Sequence, residues 1–443
     1  MKRIGAIGLI VAAVLAVQTD AEPGGPNIIV TAKNEQAIGH LNRDLGLTTV
    51  RQVPGQPVYL MQANGNPTAA LQKLKKDGAV ESAELDQTIA LNTVPAPSIS
   101  GLSTDTLFLL DRQTMVDFYG ASVLRAYVEQ PALSLIHAKE ARDIATGAGI
   151  RVAYIDTGID PTHPALQPWI SPGVDLVGNL SESELNGVSP PSLRDTDTAY
   201  LLDTDTLFLL DQRYRIFANA GEGMSASSSS QLPPAFGHGT MVAGAIHAVA
   251  PEAKLVPIKA FDAYGNTTLF TVIDGVNRAV DMGVDVINMS FSTTTDSFAL
   301  RKAISRALAS GISLVASAGN EGREIGDAFP AAYTQVFGVA ASDFQDRITP
   351  FSNYGSAVSI TAPGAYVIST VPGGGYAAGW GTSFSAPLVS GAIALLASEQ
   401  QHFHSQGVIV LNTSDSIDVM NPGLKGELGK GRLNVLAAVS QGK

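Results

Sequence analysis

The sequence predicts an α/β protein: a doubly wound, mainly parallel sheet with helices on both faces, preceded by a small ferredoxin-like α+β domain. Three observations carry this. From residue 150 onward, short apolar runs alternate with segments of helical length and periodicity, the pattern of strands joined by crossover helices. Residues 26–90 read in the order β-α-β-β-α-β, the split βαβ motif. The 443-residue chain is 45% hydrophobic, with 44 glycines and 24 prolines, which suits a large buried core with many turns.

The elements follow in order. Met1-Lys2-Arg3 is basic, residues 4–17 are apolar but too short for a comfortable bilayer span, and Ala21 offers a small residue at a cleavage point. Residues 1–21 thus read as a secretory signal peptide, and the protein is expected to be exported, secreted or periplasmic, with no stable membrane anchor. In the domain at 22–91, strands are expected at 26–32, 48–53, 57–62 and 80–90, and helices at 35–45 and 68–76. Residues 92–134 read as a linker and processing region, rich at its start in Pro, Ser and Thr. The large domain, 135–443, is expected to hold strands at 150–155, 254–258, 284–289, 312–317, 336–341 and 358–361. Its helices are expected at 238–249, 269–282, 297–310 and along the apolar run 388–397, with an insertion at about 178–234.

A net charge of −12 argues against nucleic-acid binding, and a monomer is expected. The absence of cysteine excludes a disulfide framework, thiol catalysis and a lipidated cysteine anchor.

Chemistry concentrates in four short motifs. Gly381-Thr382-Ser383-Phe384-Ser385-Ala386-Pro387 opens the last apolar run, placing Ser383 beside the free N–H groups and positive pole of a helix start. Upstream lie Asp156-Thr157-Gly158, Gly237-His238-Gly239-Thr240 and Ser317-Ala318-Gly319-Asn320. Taken singly, each has a plain reading: Asp156 a turn cap, Ser383 a helix N-cap, Asn320 a turn residue, His238 a packed helix start. Their order is the discriminator, because Ser-His-Asp machinery recurs on unrelated folds in different chain orders.

The order Asp, His, Ser, with these flanking residues, resembles the subtilisin-like serine proteases, the subtilases, over roughly residues 135–440. The resemblance implies a subtilisin-like fold and a serine endopeptidase acting on polypeptides. Asp156, His238 and Ser383 would be catalytic, and Asn320 would contribute to the oxyanion hole. Ser290-Phe291-Ser292 and Ser317-Ala318-Gly319 would bind substrate, with Ser292 departing from the family's usual glycine. It also implies that the N-terminal domain is a propeptide that assists folding and then inhibits the active site within its own chain. No cofactor is required for such chemistry, no metal ligand is assigned, and structural calcium is left open.

Other features carry less. His163 and His247 read as structural, and His402 and His404 lack partners for a metal site. Thr204–Asp211 spells Thr-Asp-Thr-Leu-Phe-Leu-Leu-Asp, recurs verbatim at 104–111 and follows a variant copy at 196–203. These octads are expected to form a small accessory sheet linking the processing region to the insertion. Three function classes stand: a secreted endopeptidase made as a self-inhibited precursor, a binding protein on a catalytically degraded protease fold, and a hydrolase of esters or small amides.

Overall fold

The computed structural model describes residues 26–91, 114–177, 208–209, 235–399 and 406–441. The signal-peptide reading, the octad at 104–111, most of 196–211 and the His402/His404 pair lie outside the described residues. The chain divides into two compact units, Met1–Asp86 and Gln87–Lys443.

The first unit contains β1 (Ile28–Ala32), α1 (Ile38–Asp44), β2 (Leu47–Gln52), β3 (Val58–Ala63), α2 (Pro67–Leu74) and β4 (Val80–Leu85). Its antiparallel sheet has the order β2-β3-β1-β4 expected of a ferredoxin-like domain. Asn66 caps α2 by accepting from the N–H groups of Thr68 and Ala69, and Pro67 occupies the first helical position, where its missing donor is not needed. Leu41, Leu71 and Leu74 of the helices close on Ile28, Val30 and Met61 of the sheet.

The expected last strand, 80–90, is in fact two. Pairing with β1 ends where the Asp86 N–H reaches the Asn27 carbonyl at 2.8 Å. The next residues form β5 (Thr88–Ala90), which belongs to the second unit.

In the range read as linker the structure holds β6 (Met115–Phe118), β7 (Ala121–Leu124), α3 (Arg125–Val128) and α4 (Pro131–Leu135), followed by α5 (Ala138–Arg142). Phe118, Val123, Leu124 and Tyr127 are buried in the main core, so the large fold starts earlier than residue 135. Elements of four or five residues are too short to show a period.

The remaining elements are β8 (Arg151–Asp156), β9 (Val174–Asp175), β10 (Phe208–Leu209), α6 (His238–Val249), β11 (Lys254–Lys259), β12 (Asn266–Thr268), α7 (Leu269–Asp281), β13 (Val286–Met289), α8 (Phe298–Ala309), β14 (Ser313–Ser317), β15 (Val336–Ser342), β16 (Ile360–Pro363), β17 (Val367–Val371), β18 (Gly375–Gly379), α9 (Thr382–Glu399), α10 (Gln406–Asn412) and α11 (Val435–Gln441). Seven of these strands form one parallel sheet, β16-β15-β14-β13-β8-β11-β9. Near-continuous burial along β8, β11 and β13 fits a sheet covered on both faces. Alternation along β8 separates the two sides: Val152 and Tyr154 join the core around α6 and α9, whereas Ile155 meets Gly275 of α7.

Connections leave β8 in both directions, so the crevice at its carboxyl end is a topological switch point, where ligands of such sheets bind. Asp156 ends β8 there, and Ser290 directly follows β13. Among the described residues no helix is long and apolar enough to cross a membrane.

Candidate active site

Asp156 is 1% exposed, and its Oδ1 accepts from the Thr157 N–H at 2.8 Å while lying 2.7 Å from His238 Nδ1. The plain cap reading of Asp156 therefore describes part of its bonding, but the histidine contact spans 82 residues of chain and is not local. His238 is the first residue of α6, and Gly237 before it sits at φ +76°, a left-handed conformation that favours glycine.

The flanking residues have their own reasons. Gly239 lies so close to the Asp motif that a Cβ there would sit 2.2 Å from the Gly158 carbonyl oxygen. Two threonine hydroxyls lace the motifs together: Thr157 Oγ1 accepts from the Gly239 N–H at 3.0 Å, and Thr240 Oγ1 accepts from the Asp160 N–H at 2.9 Å. Threonine and glycine at these positions thus set the distance between carboxylate and imidazole.

Ser383 is the second residue of α9, which begins six residues before the apolar run that signalled it. Its hydroxyl does not cap its own helix. Oγ donates to the Ser290 carbonyl at 3.2 Å, and Ser290 Oγ donates back to the Ser383 carbonyl at 3.0 Å. That carbonyl is open because Pro387, four residues on, has no N–H to give it. The Ser290 hydroxyl is held in turn by Asn288 Nδ2 at 2.9 Å, and Asn288 Oδ1 accepts from Ser390 Oγ at 2.9 Å. The imidazole of His238 lies beside Phe384, with ring centroids 5.6 Å apart.

Asn320 follows β14 in sequence and meets the start of α9. Its Oδ1 accepts both the Thr382 N–H, at 2.9 Å, and the Thr382 hydroxyl, at 2.8 Å. This fixes the amide so that Nδ2 takes the opposite side. The position a Cβ on Gly381 would occupy lies 3.5 Å from Asn320 Nδ2 and 3.8 Å from the Ser383 nitrogen. Asn320 Nδ2 and the Ser383 nitrogen thus lie near one point, with Asn320 Oδ1 also 3.8 Å from it, beside a glycine at φ +139°. Such paired donors suit an oxygen that gains negative charge.

The expected substrate residues separate. Ser292 meets Gly319, whose Cβ position would lie 3.1 Å from Ser292 Oγ, so the two predicted walls adjoin. Gly319 donates its N–H to Thr382 Oγ1 at 3.2 Å, tying the wall to the serine segment. Ser317 and Ala318 are buried at the end of β14 and beyond it. Phe291 turns its side chain into the core, 5.3 Å from the Phe261 ring, because odd and even residues of an extended chain face opposite ways.

Sequence reasoning missed the edge formed by β12. Thr88–Ala90 pairs antiparallel with it, Thr88 opposite Thr268 and Ala90 opposite Asn266. The Leu91 N–H donates to the Gly265 carbonyl, and the Leu269 N–H to the Gln87 carbonyl, both at 2.8 Å. Gln87 Oε1 also accepts from Thr295 Oγ1 at 2.8 Å. The available signal was Asp262-Ala263-Tyr264-Gly265, a turn sequence before a short polar run. Asn353 was missed too; it spans the loop after Asn320, donating to the Ala318 carbonyl at 3.0 Å and accepting from the Glu321 N–H at 3.1 Å.

Comparison with known proteins gives the family. Residues 147–431 match the model of the subtilase family, and residues 26–94 match a separate model described as the open reading frame 2 N-terminal domain. Thermitase of Thermoactinomyces vulgaris is 30% identical over 304 residues, covering 69% of this chain and 93% of that protein. Subtilisin E of Bacillus subtilis (strain 168) is 30% identical over 380 residues, 83% of this chain and 82% of its own. An intracellular serine protease of Paenibacillus polymyxa is 31% identical over 279 residues, 60% of this chain and 71% of its own. The chain belongs to the subtilase family and is a serine endopeptidase.

Proposed function

We propose that this endopeptidase is exported as a self-inhibited precursor, with the N-terminal unit as its propeptide and Asp156, His238 and Ser383 as its triad. The observation that carries the precursor reading is the antiparallel seating of Thr88–Ala90 on β12. A chain added to a sheet edge is how extended peptides are recognised, with main-chain bonds for affinity and alternate side chains for fit. Ile89 and Leu91 are buried on this edge while Thr88 and Ala90 are exposed, so the tail already has the form of a bound peptide. Export rests on the basic and apolar leader at 1–21.

In this reading the Asp156–His238 bond keeps a proton on Nδ1 and leaves Nε2 basic. Nε2 takes the Ser383 proton as Oγ attacks the peptide carbonyl, and the oxyanion is received by Asn320 Nδ2 and the Ser383 N–H. The intermediate collapses as His238 protonates the leaving amine. Water, activated by the same imidazole, then releases the acyl group. Nucleophile, base and donors are all protein groups, so the reading calls on no cofactor.

The test is expression of the full chain beside Ser383→Ala. The first is expected to release its N-terminal segment, label with a fluorophosphonate and hydrolyse casein, whereas the variant stays full length and unlabelled. Equal processing of both would overturn the reading. Asn320→Ala is expected to process slowly and lose about 10²–10³ in kcat. Ile89→Glu with Leu91→Glu is expected to weaken inhibition by the tail, read as earlier casein hydrolysis at equal precursor concentration.

A further inference from the structure

The octads remain unexplained by proteolysis, and one strand pair bears on them. Phe208 and Leu209, from the middle of the 204–211 octad, form β10 and pair antiparallel with Ala378 and Ala377 of β18. The sheet order β10-β18-β17 makes them the outer strand on the β17–β18 hairpin. The hairpin strand they meet reads Gly-Tyr-Ala-Ala-Gly, with alanine at both paired positions.

This hairpin touches the segments that carry Asp156 and His238 and leads into the one that carries Ser383. At its turn the Gly373 N–H donates to Asp160 Oδ2 at 2.7 Å, and the Gly375 carbonyl lies 2.9 Å from His163 Nε2; both partners follow the Asp156 motif. From β17, Ser369 and Thr370 donate to the Met241 and Thr240 carbonyls of α6 at 2.6 and 2.8 Å. β18 then runs through Trp380 directly into Gly381 and Ser383.

The segment at 104–111 is identical, residue for residue, to the one that supplies β10. An edge that pairs with one of two identical sequences can pair with the other; only their tethers differ. We propose that the Ala377–Ala378 edge of β18 is a docking site for the Thr-Asp-Thr-Leu-Phe-Leu-Leu-Asp octad, and that the copy at 104–111 is its alternative occupant. The 196–203 copy carries Ala199-Tyr200 where the others have Leu-Phe and is the weaker competitor. The two identical copies compete within one molecule, so occupancy is set by effective concentration rather than by contacts. Occupant exchange would link the region between N-terminal unit and protease to the strand that leads to Ser383.

The chain has no cysteine, so introduced pairs report without background. Facing residues of an antiparallel pair have Cβ atoms about 4.5–5.5 Å apart, close to disulfide reach. In the full chain carrying Ser383→Ala, Ala378→Cys is combined with Phe208→Cys or with Phe108→Cys and oxidised with copper phenanthroline. Both pairs are expected to form intrachain disulfides, located by peptide mapping. Replacing Leu207, Phe208 and Leu209 by serine is expected to raise the Phe108→Cys yield several-fold. No cross-link from Phe108→Cys in that background overturns the proposal, as does a disulfide found only between two chains. A second measurement avoids the buried cysteine: fluorescent octad peptide should bind the triple-serine chain, by anisotropy, at least tenfold more tightly than a scrambled peptide. Equal binding of both peptides also overturns the proposal.

Discussion

Two helix pairs flank the large sheet, and they are held by different means. α6 and α9 carry the candidate base and nucleophile, contain no lysine, arginine or aspartate, and are buried along nearly their whole length. They approach through glycine: a Cβ on Gly391 would sit 2.7 Å from Val249 Cβ and 3.0 Å from the Ile246 carbonyl oxygen. On the other side α7 and α8 are joined by charge. Arg306 reaches Asp281 at 2.5 Å and the Asn277 side chain at 3.0 Å, and Asp274 pairs with Arg278 along α7. Close-packed glycine contacts have no slack, whereas long charged side chains can adjust. The site is thus built on the pair that tolerates least displacement.

The contrast can be broken most sharply at Gly239 in α6. Gly239→Ala must push the Asp and His motifs apart, and a shift of this size is expected to lower kcat/KM by about 10²-fold or more. Activity at the wild-type level, with the fold intact by circular dichroism, would remove the claim that the glycine sets the spacing.

His247, also on α6, should make that pair sensitive to acid. It is fully buried among Tyr127, Trp169 and Phe118. Burial, with the neighbouring His163 and Arg142 charges adding to it, pushes its pKa down to about 3. The unfolded chain takes a proton near pH 6.5 and the folded one does not until far lower, so stability is whole above 6.5 and falls as pH drops toward 3. On the order of 3 kcal/mol is lost between pH 6.5 and 4. Urea midpoints of His247→Leu should fall less steeply over that range than those of the wild type; parallel curves would contradict this.

Gly391→Ala is expected to destabilise by about 1–3 kcal/mol through overpacking against α6, read as a lower urea midpoint. On the opposite side, Arg306→Ala is expected to lose about 1 kcal/mol or less, since the pair is partly solvated. If Arg306→Ala proves the more damaging of the two, the distinction between the helix pairs fails.

Much of this was legible in the chain. The parallel strands and the start of α6 at His238 followed from apolar runs bounded by glycine and polar residues. The site was legible because its residues carry local signatures, glycine for close approach and threonine for lacing, that plain caps do not need. What escaped notice depends on distant partners. β18 has two glycines, two alanines and no β-branched residue; it is a strand because β17 and the core around Phe384 and Met241 hold it. The break at Asp86–Gln87 is set by where two different sheets claim the chain. The side-chain orientation of Phe291 depends on Phe261, thirty residues away in sequence.

Pro387 ties the start of α9 to a distant partner. Because the first turn of α9 cannot bond the Ser383 carbonyl internally, that carbonyl waits for the Ser290 hydroxyl, ninety-three residues upstream. The candidate nucleophile is therefore oriented by a residue that follows the central strand rather than by its own helix turn. Fluorophosphonate labelling during refolding should accordingly lag the recovery of helical signal, and Pro387→Ala, which lets the turn close on itself, should shorten that lag.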